Sequence, residues 1–142
     1  MSVYIPVDLQ RQIRSRFINC CAYCRTAEVL IATTFEIEHI VPRSAGGESV
    51  FENLCLACPS CNRYKANRQK AIDPLSGEEV LLFHPQDQSW NDHFSWDENA
   101  TEIIGITAIG RATIVALKMN RPQLVGVRQI WVQVGEHPPS IT

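Results

Sequence analysis

Three stretches decide how this chain is read: Cys21-Ala22-Tyr23-Cys24, Glu36-Ile37-Glu38-His39-Ile40-Val41-Pro42-Arg43, and Cys58-Pro59-Ser60-Cys61-Asn62-Arg63-Tyr64-Lys65. The first and third each hold a CxxC pair, and 33 residues separate the pairs. A CxxC knuckle presents two thiolates to one point, and four soft thiolates at this spacing select tetrahedral zinc in a closed structural site. Cys21, Cys24, Cys58 and Cys61 are therefore read as ligands of one structural Zn²⁺, in preference to a redox CxxC. Cys20 and Cys55 lie outside the pairs and are read as buried thiols.

Composition sets the frame around these stretches. The chain has 142 residues, 45% of them hydrophobic and 20% charged, as in an ordinary soluble domain. No apolar run approaches the roughly 20 residues that span a bilayer, and the N-terminus lacks the apolar stretch of a secretion signal. A cytoplasmic protein with no membrane partner is expected, and in that compartment six cysteines point to metal rather than disulfides. The net charge of −2 hides an asymmetry. Residues 1–70 carry nine basic against six acidic side chains, and residues 71–142 carry four against nine. The first half can thus face a polyanion while the second faces water.

Periodicity fills in the elements. Leu9, Ile13 and Phe17 recur at helical spacing after Pro6, which predicts a short amphipathic helix. Residues 30–41 read as strand ended by Pro42, residues 42–53 as a loop around Gly46-Gly47, and residues 54–57 as a short apolar strand. From Cys58 a basic, polar stretch to Lys70 reads as helix. Beyond Ala71, Asp73-Pro74-Leu75-Ser76-Gly77 is turn chemistry, and strands are expected over 80–83, 93–96 and 102–107. Thr107 can cap a helix running to about Met119. A second helix follows Pro122, with Leu124, Val127, Trp131 and Val134 as its buried stripe.

The order CxxC, Glu38-His39-Ile40-x-Pro42, Gly46-Gly47, Asn53-Leu54, then Cys58-x-x-Cys61-Asn62-x-x-Lys65 closely resembles the HNH nuclease family. The resemblance covers about residues 5–70. It implies an α+β fold: a ββα-metal core stapled by the four-cysteine zinc site over residues 1–70. A small extension of strands and two helices, residues 71–142, is expected to pack on that core. By position it makes His39 the general base, Glu38 and Asn62 ligands of one catalytic Mg²⁺ or Mn²⁺, and Asn53 the residue holding the glycine loop. Asn62 stands where the family commonly has His, and Glu38 where it more often has Asp. Because Glu38 and His39 are neighbours on a strand, their side chains share a site only where the strand distorts toward Pro42.

Chemistry agrees with these roles. Imidazole accepts a proton near neutral pH, and Mg²⁺ prefers the oxygens that a carboxylate and an amide provide. Arg63, Lys65, Arg68 and Lys70 are expected to touch DNA phosphates without reading bases. The expectation is a metal-dependent endonuclease cutting one DNA strand per active site, as a monomer or weak homodimer, with RNA left open as substrate. The competing class is a non-catalytic zinc module that binds nucleic acid. His84, Asp92 and His93 lack the spacing of a second metal site and are read as surface residues.

Overall fold

The computed structural model describes residues 4–140. Helix α1 (Val7–Arg16) starts after Pro6 and buries Ile13, with Phe17 closing the stripe. Strand β1 (Glu36–His39) pairs antiparallel with β2 (Leu54–Ala57), matching Glu36 to Ala57 and His39 to Leu54. Helix α2 (Pro59–Lys65) follows with Cys58 as its N-cap. All four residues of β2 are buried, because α1 packs against β2 while α2 packs against the β1 side of the hairpin. The cysteine knuckle joins this unit through Ala22, whose N–H donates to Leu56 O at 2.7 Å.

Two elements are shorter than the sequence suggests. Only Glu36–His39 is strand within the expected span 30–41, since Glu28–Leu30 turns as a 3₁₀ helix. Arg14 pairs with Glu28 and also donates to Phe35 O, while Phe35 N–H donates to Glu28 Oε2 at 2.7 Å. Those contacts hold the approach to β1 against α1 instead of in a ladder. The helix from Cys58 stops at Lys65 because Ala66 takes φ 50°, ψ −131°. Lys70 then opens strand β3 (Lys70–Ile72), which crosses the expected division at residue 70 and forms a hairpin with β4 (Glu79–Leu81) around the anticipated turn.

The rest of the chain builds a helical turn α3 (Trp90–His93), a hairpin of β5 (Phe94–Trp96) and β6 (Ile103–Gly105), then α4 (Ala108–Leu117) and α5 (Pro122–Gln133). Thr107 caps α4 by accepting from Gly110 N–H at 3.0 Å. Leu124 and Trp131 are buried as expected, but Val134 is 64% exposed because α5 ends at Gln133 and turns away at Gly135. The second half packs on the first. Trp90 Nε1–H donates to Tyr23 O at 2.8 Å, Gln86 Nε2 to Phe51 O and Leu54 O, and Arg68 Nη2 to Ala116 O at 2.7 Å. No helix among the described residues is long and apolar enough to cross a membrane.

Candidate active site and zinc centre

The two knuckles meet where the hairpin brings Cys58 beside the loop after α1. The sulfurs of Cys21, Cys24, Cys58 and Cys61 all lie within 4.8 Å of one another, and all four residues are buried. A tetrahedral ion about 2.3 Å from each sulfur sets the sulfurs about 3.8 Å apart, and Cys24 Sγ and Cys58 Sγ are 3.8 Å apart. The donor set therefore fits zinc. Cys61 N–H already donates to Cys58 Sγ, so the start of α2 favours thiolate there. Arg121, from the second half, points Nη2 at Cys58 Sγ (3.8 Å) and Nη1 at Cys61 Sγ (3.9 Å). It offsets part of the net negative charge that four thiolates leave on a zinc site.

Above the hairpin, the loop between β1 and β2 is tied down by Asn53. Its Oδ1 accepts from Val41 N–H at 2.8 Å, and its Nδ2 donates to Val41 O and Glu48 O at 3.0 Å each. Gly47 lies so close that a Cβ there would stand 1.8 Å from Val41 O, so only glycine permits the approach. This loop delivers Ser49 to His39, with Ser49 Oγ 2.8 Å from Nε2. Burial, and then the charges of Arg43 and Lys65, hold the His39 pKa below its ordinary value. Ser49 has no signal in the sequence beyond its place two residues after the glycine pair.

Glu38, His39 and Asn62 all line a cleft of about 390 Å³, bordered by Pro42, Arg43 and Ala66, but β1 keeps its register through His39 without the distortion that would turn the Glu38 and His39 side chains to the same side. Asn62 Nδ2 donates to Glu36 Oε1 at 2.6 Å, which leaves the amide oxygen for the cleft. Glu36 went unassigned in the sequence, although its two-residue spacing from Glu38 puts both on one strand face. Glu38 itself is 5% exposed. Its Oε1 lies 2.8 Å from Lys65 Nζ yet receives no hydrogen bond of good geometry, and Oε2 accepts from the Cys55 thiol at 3.3 Å. Burial pushes the Glu38 carboxyl up, and Lys65 opposes the shift.

These elements and their spacing find a counterpart among known proteins. Residues 21–68 match the HNH endonuclease family. The chain is also 26% identical over 152 residues to Septu protein PtuB of Bacillus mycoides (strain KBAB4), covering 88% of this chain. It spans about half, 51%, of that relative's length. No solved structure matches. The HNH match supports nuclease-type function in general.

In and just beyond residues 21–68 the expected phosphate contacts divide. Arg63 is exposed on α2, and Lys70 is exposed just beyond the segment. Lys65 is 1% exposed, with its ammonium on Glu38 and on Ile40 O at 2.9 Å. That placement corrects its reading as a phosphate contact, because a buried, paired ammonium cannot reach a polyanion at the surface. Arg68 donates to Tyr64 O as well as Ala116 O, which docks its guanidinium between α2 and α4. Cys20 and Cys55 are free and buried, as expected. Among the described residues the four cysteines are the one group of three or more His, Cys, Asp or Glu side chains close enough to share an ion, and His93 instead bonds Thr107 Oγ1.

Proposed function

We propose that the chain is a metal-dependent endonuclease that hydrolyses phosphodiester bonds in DNA, with His39 as general base. The observation that carries this reading is the shared cleft. It is lined by an imidazole whose surroundings favour the neutral form and by the Asn62 amide, with the buried Glu38 carboxylate as a further oxygen donor suited to a hard cation. Where Nε2–H donates to Ser49 Oγ, Nδ1 is the ring nitrogen left to take the proton of an attacking water. Glu38 Oε1, a buried oxygen lacking a hydrogen bond, and Asn62 Oδ1 would hold the cation. Bound Mg²⁺ or Mn²⁺ would neutralise charge developing on the phosphoryl group and leaving oxygen. Lys65 balances Glu38 in the structure, so a divalent cation held by this carboxylate would have to share it with that ammonium. Asn53 and Gly47 position the base by holding its loop. One such constellation cuts one strand, so nicked circles should precede linear DNA.

The test is cleavage of supercoiled plasmid with Mg²⁺ or Mn²⁺ by the full chain and by His39→Ala. His39→Ala should lose about 10²-fold or more of the rate while binding duplex DNA like wild type. Because the His39 pKa is lowered, the acid limb of the wild-type rate should lie below pH ~6.5. Undiminished cutting by His39→Ala overturns the assignment. DNA binding with no cleavage under either metal points instead to a non-catalytic zinc module.

A further inference from the structure

Residues 71–142 hold four basic side chains, and three of them have internal partners. Arg111 makes a bidentate pair with Asp73, at 2.8 and 2.9 Å. Arg121 faces the cysteine sulfurs, and the fully buried Arg128 donates to Thr101 O and Met119 O. Lys118 has no carboxylate or carbonyl partner among the described residues. It stands exposed at the C-terminal end of α4, with its ammonium 5.1 Å from the ring of Tyr64 on α2. Arg63 flanks the same ring at 5.9 Å, is exposed, and also has no carboxylate partner. The placement is built into the fold, because Arg68 fastens α2 to the end of α4 through Ala116 O.

We propose that Lys118 joins Arg63 and Tyr64 in one phosphate-binding surface, so that the second half of the chain extends the duplex-DNA track of the HNH segment. Arg63 from the first half and Lys118 from the second stand beside one half-buried aromatic ring that Arg121 also approaches at 6.0 Å, and with no carboxylate paired to Arg63 or Lys118 they form a concentrated positive field where the two halves meet. A phosphate backbone supplies the missing anions at regular spacing. The inference rests on the DNA reading above. A purely structural role also has a physical basis, since a cation at a helix C-terminus complements the helix dipole. The backbone separates the two, because Lys118 takes φ 49°, ψ 52°, the left-handed conformation that glycine adopts most readily.

The experiment measures affinity of the full chain for a labelled duplex from about 50 to about 200 mM salt, for wild type, Lys118→Gln, Lys118→Gly and Lys118→Arg. Loss of one phosphate contact lowers the log–log salt slope by about 0.9. Lys118→Gln and Lys118→Gly should both show that drop, Lys118→Arg should keep the wild-type slope, and Lys118→Gly should unfold no more readily than wild type. Wild-type slopes in Gln and Gly variants overturn the proposal while leaving the DNA reading intact. A wild-type protein that binds no duplex overturns both.

Discussion

Between Cys21 and Lys65 the longest helix has seven residues, and the centre is four thiols with a buried carboxylate and ammonium nearby. Between Trp90 and Gln133, helices of ten and twelve residues close over Trp90, Phe94, Trp96 and Trp131, and polar groups inside meet backbone carbonyls. The contrast separates two ways of holding a small fold. Short elements bury little apolar surface, so between Cys21 and Lys65 more of the order falls to the four clustered thiols and to paired charge. The second half depends on packed area, which removing one ion leaves in place. A cleft built on the first kind of scaffold has a rigid floor of a few atoms, suited to fixing His39 and Asn62.

The contrast is broken most directly through the zinc site. Thiolate zinc binding contributes on the order of 10 kcal/mol of apparent free energy, comparable with the stability of a whole domain. The purified protein should contain about one Zn²⁺ per chain. Cys58→Ser or strong chelation should unfold residues 21–68, seen as protease cutting within that segment, whereas Cys20→Ser should be mild. A folded protein without zinc by metal analysis would end this account of the first half.

A smaller effect tests the charge pair. Lys65→Met leaves the Glu38 carboxylate buried without its cation and should cost about 3–5 kcal/mol, read as a lower urea midpoint. Glu38→Leu combined with Lys65→Met should recover much of that loss, because two apolar side chains avoid desolvating either charge. If the double variant is as unstable as the single one, uncompensated charge is not what the first half has to avoid.

The legibility of the two regions differs for the same reason. CxxC spacing is a local rule of ligand geometry, so the clustering of the four cysteines stood in the sequence, and so did Asn53, a loop residue satisfying backbone groups. Lys65 did not, because a lysine in a basic run reads as solvated until the Glu38 carboxylate is seen opposite it across α2 and β1. Glu36 and Ser49 act through contacts 26 and 10 residues away, which no periodicity encodes. In the second half, patterning located α4, α5 and the turn at Asp73, but it could not say that Val134 falls past the end of its helix. Nor could it show that Arg111 reaches back 38 residues to Asp73.

That last pair gives the smallest and most specific test of the second half. The Asp73 side chain is buried at the turn between β3 and β4, where it accepts from Arg111 Nε and Nη2, from the N–H groups of Leu75 and Ser76, and from Ser76 Oγ at 2.7 Å. The Arg111 hydrogen bonds, helped by Ser76 and Leu75, hold its carboxyl well below the usual carboxylate range against the opposing effect of burial. When the folded pKa is depressed, the unfolded chain binds the proton first as pH falls. The contribution is therefore complete above the ordinary pKa near 3.8 and fades as pH drops through and below it. All three tryptophans, Trp90, Trp96 and Trp131, lie in this half, so their fluorescence reports its unfolding. Asp73→Asn should lower the urea midpoint at pH 7 and flatten its decline between pH ~4 and ~2 relative to wild type. Because Arg111 is 29% exposed it can turn to water, which keeps the effect below that of Lys65→Met. An unchanged acid slope in Asp73→Asn would mean that the Asp73–Arg111 pair does not set the acid stability of the second half.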